Sequence, residues 1–242
     1  MHEVVYSRQT IIKDIGEEGQ RKLTGARVLV VGCGGLGAPV LYYLTAVGIG
    51  NIGLCDNDVV SMSNLNRQIL FTAADIGAPK AFTAEKRIKA LNPNLKTIVY
   101  EQTFDIDLAS SIISEYDVII DCLDNFKTRF ILNNACVTIR KPFVHAGVEE
   151  FYGQIMTIIP GKGPCLCCLF PSGVKRESKK YPVGIIGAAA GVIGSLQALE
   201  AVKLLLGKKT ASDGMVTFNG INTTIEKVEI KQNPNCGICR GL

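Results

Sequence analysis

Four of the nine cysteines in the 242-residue sequence are spaced as metal ligands. Cys165 and Cys168 form one Cys-x-x-Cys pair, and Cys236 and Cys239 form a second. Four thiolates at this spacing are typical of a closed tetrahedral Zn²⁺ site, which leaves no coordination position free for a substrate. We therefore predict a structural zinc centre that joins the C-terminal tail to the loop carrying Cys165. Two disulfides are the alternative, and a reducing compartment disfavours them.

A glycine-rich turn follows the apolar run Val28–Val31 and contains Gly32, Gly34, Gly35 and Gly37. Such a turn directs backbone N–H groups at an anion, and without Cβ atoms it lets a phosphate approach closely. Asp56 ends a second apolar run, at the chain distance where an acid meets a ribose hydroxyl. The pattern predicts a nucleotide site. It does not by itself distinguish a dinucleotide cofactor from ATP.

Two cations beyond Asp56, Arg67 and Lys80, suit a bare triphosphate whose charge must be neutralised as pyrophosphate leaves. Arg67 could instead be an ordinary surface arginine. Lys80, however, follows Pro79 at a predicted helix start, where a cation opposes the helix macrodipole, and this favours a functional role. Asp124 lies just past a predicted strand, where a carboxylate could hold Mg²⁺. Its alternative role is to cap the helix that follows.

The elements that position these residues alternate between strand and helix, which predicts a Rossmann-like, doubly wound, mostly parallel α/β sheet. Residues 3–23 have helical spacing interrupted by glycine. Consecutive strands without helices late in the chain predict an antiparallel extension, followed by a cysteine knuckle. We expect one domain over residues 1–242. The expected strands lie at 27–31, 51–55, 96–100, 117–121, 143–148, 151–159, 214–219 and 222–230, and the main helices at 35–48, 79–91, 107–115, 125–140 and 184–206.

Composition excludes several classes of protein. A net charge of +4 without a dense Lys/Arg tract argues against nucleic acid as a partner. We find no export signal and expect no apolar run of membrane-spanning length, so a cytoplasmic protein without a membrane partner is predicted. With two histidines, a histidine-centred triad has little material, and His145 is expected to be a core histidine. Four other cysteines are expected to be buried apolar side chains: Cys33, Cys55, Cys122 and Cys136.

Taken together, the motifs resemble those of the bacterial and archaeal MoeB/ThiF/HesA family, which is related to ubiquitin-activating enzymes. The resemblance covers nearly the whole chain. Besides the two cysteine pairs, it rests on Tyr6-Ser7-Arg8-Gln9, the glycine turn, Asp56-Asn57-Asp58-Val59, Ser63-Asn64-Leu65-Asn66-Arg67-Gln68, Gly77-Ala78-Pro79-Lys80, Asp121-Cys122-Leu123-Asp124-Asn125 and Gly191-Val192-Ile193-Gly194-Ser195.

The resemblance implies that ATP, with Mg²⁺, adenylates a carboxylate, usually the C-terminal Gly-Gly of a ubiquitin-like sulfur-carrier protein. It implies a homodimer in which Arg8 reaches the ATP of the other subunit. It also implies that the carrier's tail passes beneath a crossover loop near residues 169–183. The implied nucleotide and metal contacts are the glycine turn with Gly35 under the phosphates, Asp56 on the ribose, Asp58, Asn64 and Gln68 beside the nucleotide, Arg67 and Lys80 on phosphates, and Asp124 on Mg²⁺.

One position departs from the family pattern. Many members carry a cysteine in the crossover loop, and Lys180 occupies its place here. We therefore expect adenylation without a loop thioester, unless Cys167 substitutes for the missing thiol. Three alternatives stay open: adenylation of a small carboxylate, an NAD-dependent oxidoreductase, and a nucleotide-binding scaffold without turnover. The cations and Asp124 argue against the scaffold, and the absence of a suitable hydride-site acid argues against the oxidoreductase.

Overall fold

The computed structural model describes residues 5–171 and 184–242. Eight strands form one sheet in the order β3-β2-β1-β4-β5-β6-β7-β8. The strands are β1 (Arg27–Val31), β2 (Asn51–Cys55), β3 (Lys96–Tyr100), β4 (Val118–Asp121), β5 (Phe143–Glu149), β6 (Tyr152–Ile158), β7 (Gly214–Asn219) and β8 (Thr224–Glu229). Strands β1 to β5 pair in parallel, and β5 to β8 pair antiparallel. The predicted mostly parallel sheet with an antiparallel extension is confirmed.

Eight α-helices connect or flank the strands in the described residues. They are α1 (Ser7–Thr10), α2 (Gly16–Gly25), α3 (Gly37–Ala46), α4 (Lys80–Leu91), α5 (Ile106–Ile112), α6 (Phe126–Thr138), α7 (Leu166–Leu169) and α8 (Gly187–Leu205). Short 3₁₀ turns occupy Met62–Asn64, Ala73–Asp75 and Ile113–Glu115. The N-terminal stretch thus forms two helices, as its glycines allow. At most ends the observed helices are one to three residues shorter than predicted, because capping residues and 3₁₀ turns replace α-helical geometry there.

Two apolar cores lie on opposite faces of the sheet, because successive side chains of a strand point to opposite sides. In β1, Val28 and Val30 face one core, and Leu29 and Val31 face the other. The first core is filled by α3, α4 and α8. The second is filled by α5, α6 and the cysteine knuckle. The sheet is therefore covered on both faces, as a parallel sheet requires.

Helix α8 corrects the expectation that no segment is long and apolar enough to cross a membrane. Its 19 residues meet that test by length and composition. The helix packs on the sheet, however, and its buried face carries Gln197 and Glu200. Gln197 Nε2 donates to the carbonyls of Asp121 and Val144, and Glu200 Oε2 accepts from Thr157. In this fold α8 is a core helix tied to the sheet by polar bonds.

Candidate nucleotide site and metal centre

The glycine turn, Asp56 and Cys122 leave the sheet at one edge. Val31 pairs with Cys55 on one side and with Asp121 on the other, so β1, β2 and β4 end in register. After β1 the chain adds β2 and β3 on one side of β1, and it then crosses back to add β4 on the other side. Ligands of doubly wound sheets bind at such a switch point, beyond the carboxyl ends of the strands.

Backbone geometry explains why glycine occupies two positions of the turn. Gly32 has a φ of +99°, and a Cβ there would lie 2.5 Å from the carbonyl oxygen of Cys122. A Cβ at Gly37 would lie 2.1 Å from the carbonyl oxygen of Gly32. Side chains at these positions would force the turn away from the start of α3. The turn therefore keeps its free N–H groups at the helix N-terminus, where an anion is stabilised.

Asp56 is fixed by the turn it faces. Its Oδ2 accepts the backbone N–H of Cys33 at 2.7 Å, and its Oδ1 accepts that of Asp58 at 2.9 Å. Burial raises the pKa of the Asp56 carboxyl, and the two N–H bonds and the nearby Lys80 charge oppose that rise. Each carboxylate oxygen has a further lone pair. Asp56 can therefore accept hydrogen bonds from ribose hydroxyls without losing its own supports.

Lys80 is the first residue of α4 and is 5% exposed. Its Nζ lies 2.8 Å from Asp58 Oδ2. The cation is thus buried at a helix N-terminus, where the macrodipole opposes it, and a carboxylate compensates. The predicted placement of Lys80 at a helix start is confirmed. Asp58, expected beside the nucleotide, contacts Lys80 in the described structure.

The segment carrying Asn64, Arg67 and Gln68 covers the glycine turn. A Cβ at Gly35 would lie 3.5 Å from Arg67 Cγ, and one at Gly34 would lie 3.3 Å from Gln68 Nε2. Gln68 is buried, and its Oε1 has no hydrogen-bond partner among the described residues. Two of the three side chains form hydrogen bonds within the segment. Asn64 Oδ1 accepts the Ser61 N–H at 3.1 Å, and Arg67 Nη1 donates to the Ser63 carbonyl at 2.8 Å.

Asp124 follows β4 and is exposed. It does not cap α6: Asn125 does, because its Oδ1 accepts the Thr128 N–H at 2.9 Å. Within residues 5–171 and 184–242, the Asp124 carboxylate accepts one bond, from Asn125 Nδ2 at 3.3 Å. An exposed carboxylate with most of its lone pairs free, at the carboxyl edge of the sheet, fits the donor set that Mg²⁺ prefers beside phosphates.

Arg8, which the resemblance assigns to the nucleotide site, lies on a helix that is anchored away from this edge. Tyr6 packs on Gly48, where a Cβ would lie 2.6 Å from its Cζ, and Gln9 Nε2 donates to the Val47 carbonyl at 3.2 Å. These contacts anchor α1 at the C-terminal end of α3, whose first residue is Gly37. The ten residues of α3 span about 15 Å. Arg8 is exposed and forms no ion pair within the described residues.

The four predicted metal ligands are brought together between α7 and the C-terminal tail. Their Sγ atoms all lie within 4.8 Å of one another. Neighbouring Sγ atoms are separated by 4.0 Å (Cys165–Cys168), 3.7 Å (Cys165–Cys236) and 3.4 Å (Cys168–Cys239). A tetrahedron with Zn–S bonds of about 2.3 Å has edges of about 3.8 Å. The thiols therefore fit a zinc ion, and none of the described cysteines forms a disulfide.

Polar groups around this cluster support the ligands. The Asn233 N–H donates to Cys168 Sγ at 3.4 Å, and Gln232 Nε2 donates to Cys239 Sγ at 3.6 Å. Asn133, fully buried on α6, accepts the Leu166 N–H at 2.9 Å. Cys167 is not one of the four clustered ligands, and its Sγ accepts from Asn133 Nδ2 at 3.4 Å. Such outer contacts orient metal ligands, and they join the knuckle to the sheet.

Sequence reasoning missed a buried polar network below Asp124. Its members are Asp121, Arg129, His145 and Gln197, all of them buried. His145 was expected in the core, and it lies there with Nδ1 2.6 Å from Asp121 Oδ2. The available signal was an aspartate that ends an apolar strand, with an arginine on the helix that follows. It indicates that a charge must be paired inside the protein, but not with which residue.

The ThiF family matches residues 6–238 of this chain. The sulfur carrier protein adenylyltransferase of Thermus thermophilus is 39% identical, and the match covers 97% of this chain and 89% of that protein. The sulfur carrier protein ThiS adenylyltransferase of Escherichia coli is 38% identical, with 98% and 94% covered. The SAMP-activating enzyme E1 of Haloferax volcanii is 41% identical, with 97% and 87% covered.

Among solved structures, Escherichia coli MccB superposes with a TM-score of 0.86 at 23% identity, covering 97% of this chain and 74% of that one. This likeness shows the fold. The matched family, its relatives and the switch-point geometry agree with one another, and the chain belongs to the ThiF family.

Proposed function

We propose that this protein is an ATP-dependent adenylyltransferase that activates the C-terminal Gly-Gly carboxylate of a ubiquitin-like sulfur-carrier protein. The observation that carries the proposal is the convergence of the glycine turn, Arg67 and the buried cation of Lys80 at the carboxyl edge of β1, β2 and β4. Relatives that are 38% to 41% identical over nearly the whole chain, and are named for carrier adenylation or activation, support it.

The reaction needs alignment and charge neutralisation more than proton transfer. A carboxylate oxygen attacks the α-phosphorus of ATP, the bond from that phosphorus to the bridging oxygen breaks, and pyrophosphate leaves with the electron pair. The carboxylate is already ionised at neutral pH, so no general base is required. This fits a site whose functional groups are cations, backbone N–H groups and carboxylates, with His145 buried in the core.

Each residue then has a role that follows from its position. The N–H groups of the glycine turn bind phosphate oxygens, and Asp56 accepts the ribose hydroxyls. Lys80 and Arg67 stabilise the charge that develops on the departing pyrophosphate. Mg²⁺ supplies further neutralisation when bound, and Asp124 is the residue we expect to hold it. Asn64 and Gln68 line the nucleotide side of the turn.

Arg8 acts in a homodimer under this proposal. Tyr6 anchors α1 at the C-terminal end of α3, the end opposite the glycine turn, and a second copy of the chain would carry Arg8 to the nucleotide. The whole chain, residues 1–242, works as one adenylation domain. The free cysteines support a reducing, cytoplasmic environment.

The product is released as an acyl-adenylate for a separate sulfur donor. Lys180 stands where many family members carry a loop cysteine, and the sequence has no cysteine between Cys168 and Cys236. Lys180 and most of the expected crossover loop lie outside the described residues. Cys167 is buried against α6 and is poorly placed to substitute.

ATP–pyrophosphate exchange with purified carriers tests the proposal. Exchange should appear with a carrier ending in Gly-Gly, and the matched control is the same carrier with its terminal carboxylate amidated. Exchange that needs only a small carboxylate would transfer the activity to small-molecule adenylation. NAD binding without any exchange would contradict adenylation altogether.

A further inference from the structure

Arg129 ties together the ends of two neighbouring strands. It lies in the first turn of α6 and is 7% exposed. Its Nη2 donates to the carbonyl of Leu123, two residues after the end of β4, and to the carbonyl of Ala146 in β5, the latter at 2.8 Å. A buried guanidinium used on two backbone carbonyls fixes the path of the chain where it leaves the sheet.

Asp121, the last residue of β4, contacts both Leu123 and Arg129. It is fully buried, and its Oδ1 accepts the Leu123 N–H at 3.1 Å and lies 3.8 Å from Arg129 Nε. Its Oδ2 lies 2.6 Å from His145 Nδ1. The charges of Asp121 and Arg129 balance, which leaves a neutral His145 to donate its Nδ1–H. Leu123 is therefore held at both its N–H and its C=O.

Asp124 is the next residue along the chain, and its own side chain has little support. Among the residues that the structure describes, its carboxylate accepts only from Asn125 Nδ2. Its position is set by the backbone on either side: Leu123 is clamped by Asp121 and Arg129, and Asn125 is fixed as the cap of α6. We propose that Arg129 is a positioning residue that sets the place of the Asp124 carboxylate for Mg²⁺ and ATP. This rests on the proposed function of that site.

The requirement for arginine follows from shape as well as charge. One guanidinium nitrogen, Nη2, donates to both carbonyls, and the guanidinium carbon Cζ lies over the Phe126 ring, 5.5 Å from its centroid. Phe170 packs edge-on against Phe126, with ring centroids 5.1 Å apart. These rings exclude water from the guanidinium. A lysine ammonium has enough N–H donors for two carbonyls, but it is a compact, strongly hydrated charge and supplies no plane to lie over the Phe126 ring.

Hydrogen exchange of the nucleotide-free protein tests the clamp directly. Arg129→Gln and Arg129→Lys should speed exchange of the Leu123 amide and its neighbours by about 10-fold or more, because the turn opens locally. Thr157→Val is the control. It removes the bond of a buried threonine to Glu200, at 2.6 Å, in another part of the sheet. Unchanged exchange around Leu123 in both Arg129 variants would overturn the proposal.

A binding measurement separates positioning from mere stability. Calorimetry with a non-hydrolysable ATP analogue, over a series of Mg²⁺ concentrations, gives the Mg²⁺ needed for half-maximal binding. Loss of an outer-shell contact weakens metal affinity by about 10- to 100-fold, so Arg129→Lys should need at least about 10-fold more Mg²⁺. Thr157→Val should need the wild-type amount. Faster hydrogen exchange at Leu123 with an unchanged Mg²⁺ requirement would show that Arg129 stabilises the turn but does not position Asp124 for Mg²⁺.

These outcomes also distinguish the inference from the proposed function. Wild-type protein that binds the analogue with Mg²⁺ but exchanges no pyrophosphate with any Gly-Gly carrier would contradict carrier adenylation alone. The Arg129 variants would still test the inference by hydrogen exchange at Leu123 and by the Mg²⁺ concentration needed to bind the analogue. Wild-type protein that binds the analogue without any dependence on Mg²⁺ would overturn the inference.

Discussion

Lys80 and Asp58 contact each other twice. The Lys80 ammonium lies 2.8 Å from the Asp58 carboxylate, and the Lys80 backbone N–H donates to the Asp58 carbonyl at 2.9 Å. The helix α4 thus begins with a buried cation that faces an unfavourable dipole end. A position that costs stability and is compensated by one carboxylate indicates a cation kept for its ligand.

Lys80→Met should abolish most ATP–pyrophosphate exchange while the fold survives. Loss of the ion pair, worth up to about 1 kcal/mol, is offset by relief of a dipole repulsion of similar size. Exchange should fall by about 100-fold or more, because a phosphate partner is lost. The control is Lys89→Met in the last turn of the same helix, which removes a pair with Glu85. Equal losses in both variants would refute a phosphate role for Lys80.

Asp124→Asn should eliminate exchange with almost no change in thermal stability. The carboxylate is exposed and, within the described part of the chain, accepts only from Asn125, so little of the described structure depends on its charge. We expect a loss of exchange of about 100-fold or more and a midpoint shift of about 2 °C or less. Asp107→Asn, in the first turn of α5, is the matched control. Full exchange by Asp124→Asn at ordinary Mg²⁺ would remove Asp124 from the site.

Mixing two inactive variants tests whether Arg8 acts across a dimer. Arg8→Ala and Asp124→Asn are each expected to be inactive. In a mixed dimer, the site with the intact Asp124 receives the intact Arg8, so random mixing should restore about a quarter of wild-type exchange. The control is Arg21→Ala, which removes an exposed arginine on α2 and should stay active without mixing. No recovery in verified mixed dimers would contradict the cross-subunit role.

The four clustered thiols should hold one zinc per chain, measured by elemental analysis. Cys236→Ser should lose the metal, and its unfolding midpoint should fall by at least about 5 °C, because binding energy of the ion contributes to folding. Cys167→Ser is the control, since Cys167 lies between two ligands in sequence, bonds to Asn133 and is not one of the four clustered thiols. Wild-type protein purified without chelator that contains no zinc would refute the centre.

His145 should make stability fall in mild acid. Burial lowers its pKa below 6.5, and Asp121 opposes that shift only in part. The unfolded chain takes up a proton near pH 6.5, whereas the folded protein does not until its lower pKa is reached. Stability present above pH 6.5 is therefore lost as the pH falls, by up to about 1.4 kcal/mol per pH unit. Denaturant unfolding at pH 7.5 and 5.5 should show a smaller decrease for His145→Gln; identical decreases would exclude His145.

Most of the fold could be predicted from the sequence, because local periodicity determines strands and helices. The β-branched run ending at Val31 and the glycines after it specify strand, turn and helix without reference to distant residues. Differences occur at element ends. Asn125 was included in a helix that it caps, and Ile113–Glu115 tightens into a 3₁₀ turn. Such ends depend on single hydrogen bonds, which spacing does not reveal.

The candidate site could be predicted only in part. Local sequence motifs identified the glycine turn, Asp56, Lys80 and Asp124 as candidates. Their mutual support was not visible, since Asp121, Arg129 and His145 are separated along the chain and meet only when β4, α6 and β5 pack together. A charged residue within an apolar strand indicates that a partner is required, but which residue pairs with it depends on the tertiary structure.

By itself, the sequence determined the glycine turn, the two cysteine pairs and the alternation of strands and helices, because each is a short-range pattern of backbone freedom, ligand spacing or apolar period. The tertiary structure alone decided the geometry of the four thiols, that Lys80 faces Asp58, and that the helix carrying Arg8 is anchored at the C-terminal end of α3. Those relationships depend on the register and crossover of the sheet, which are set by the packing of the whole chain.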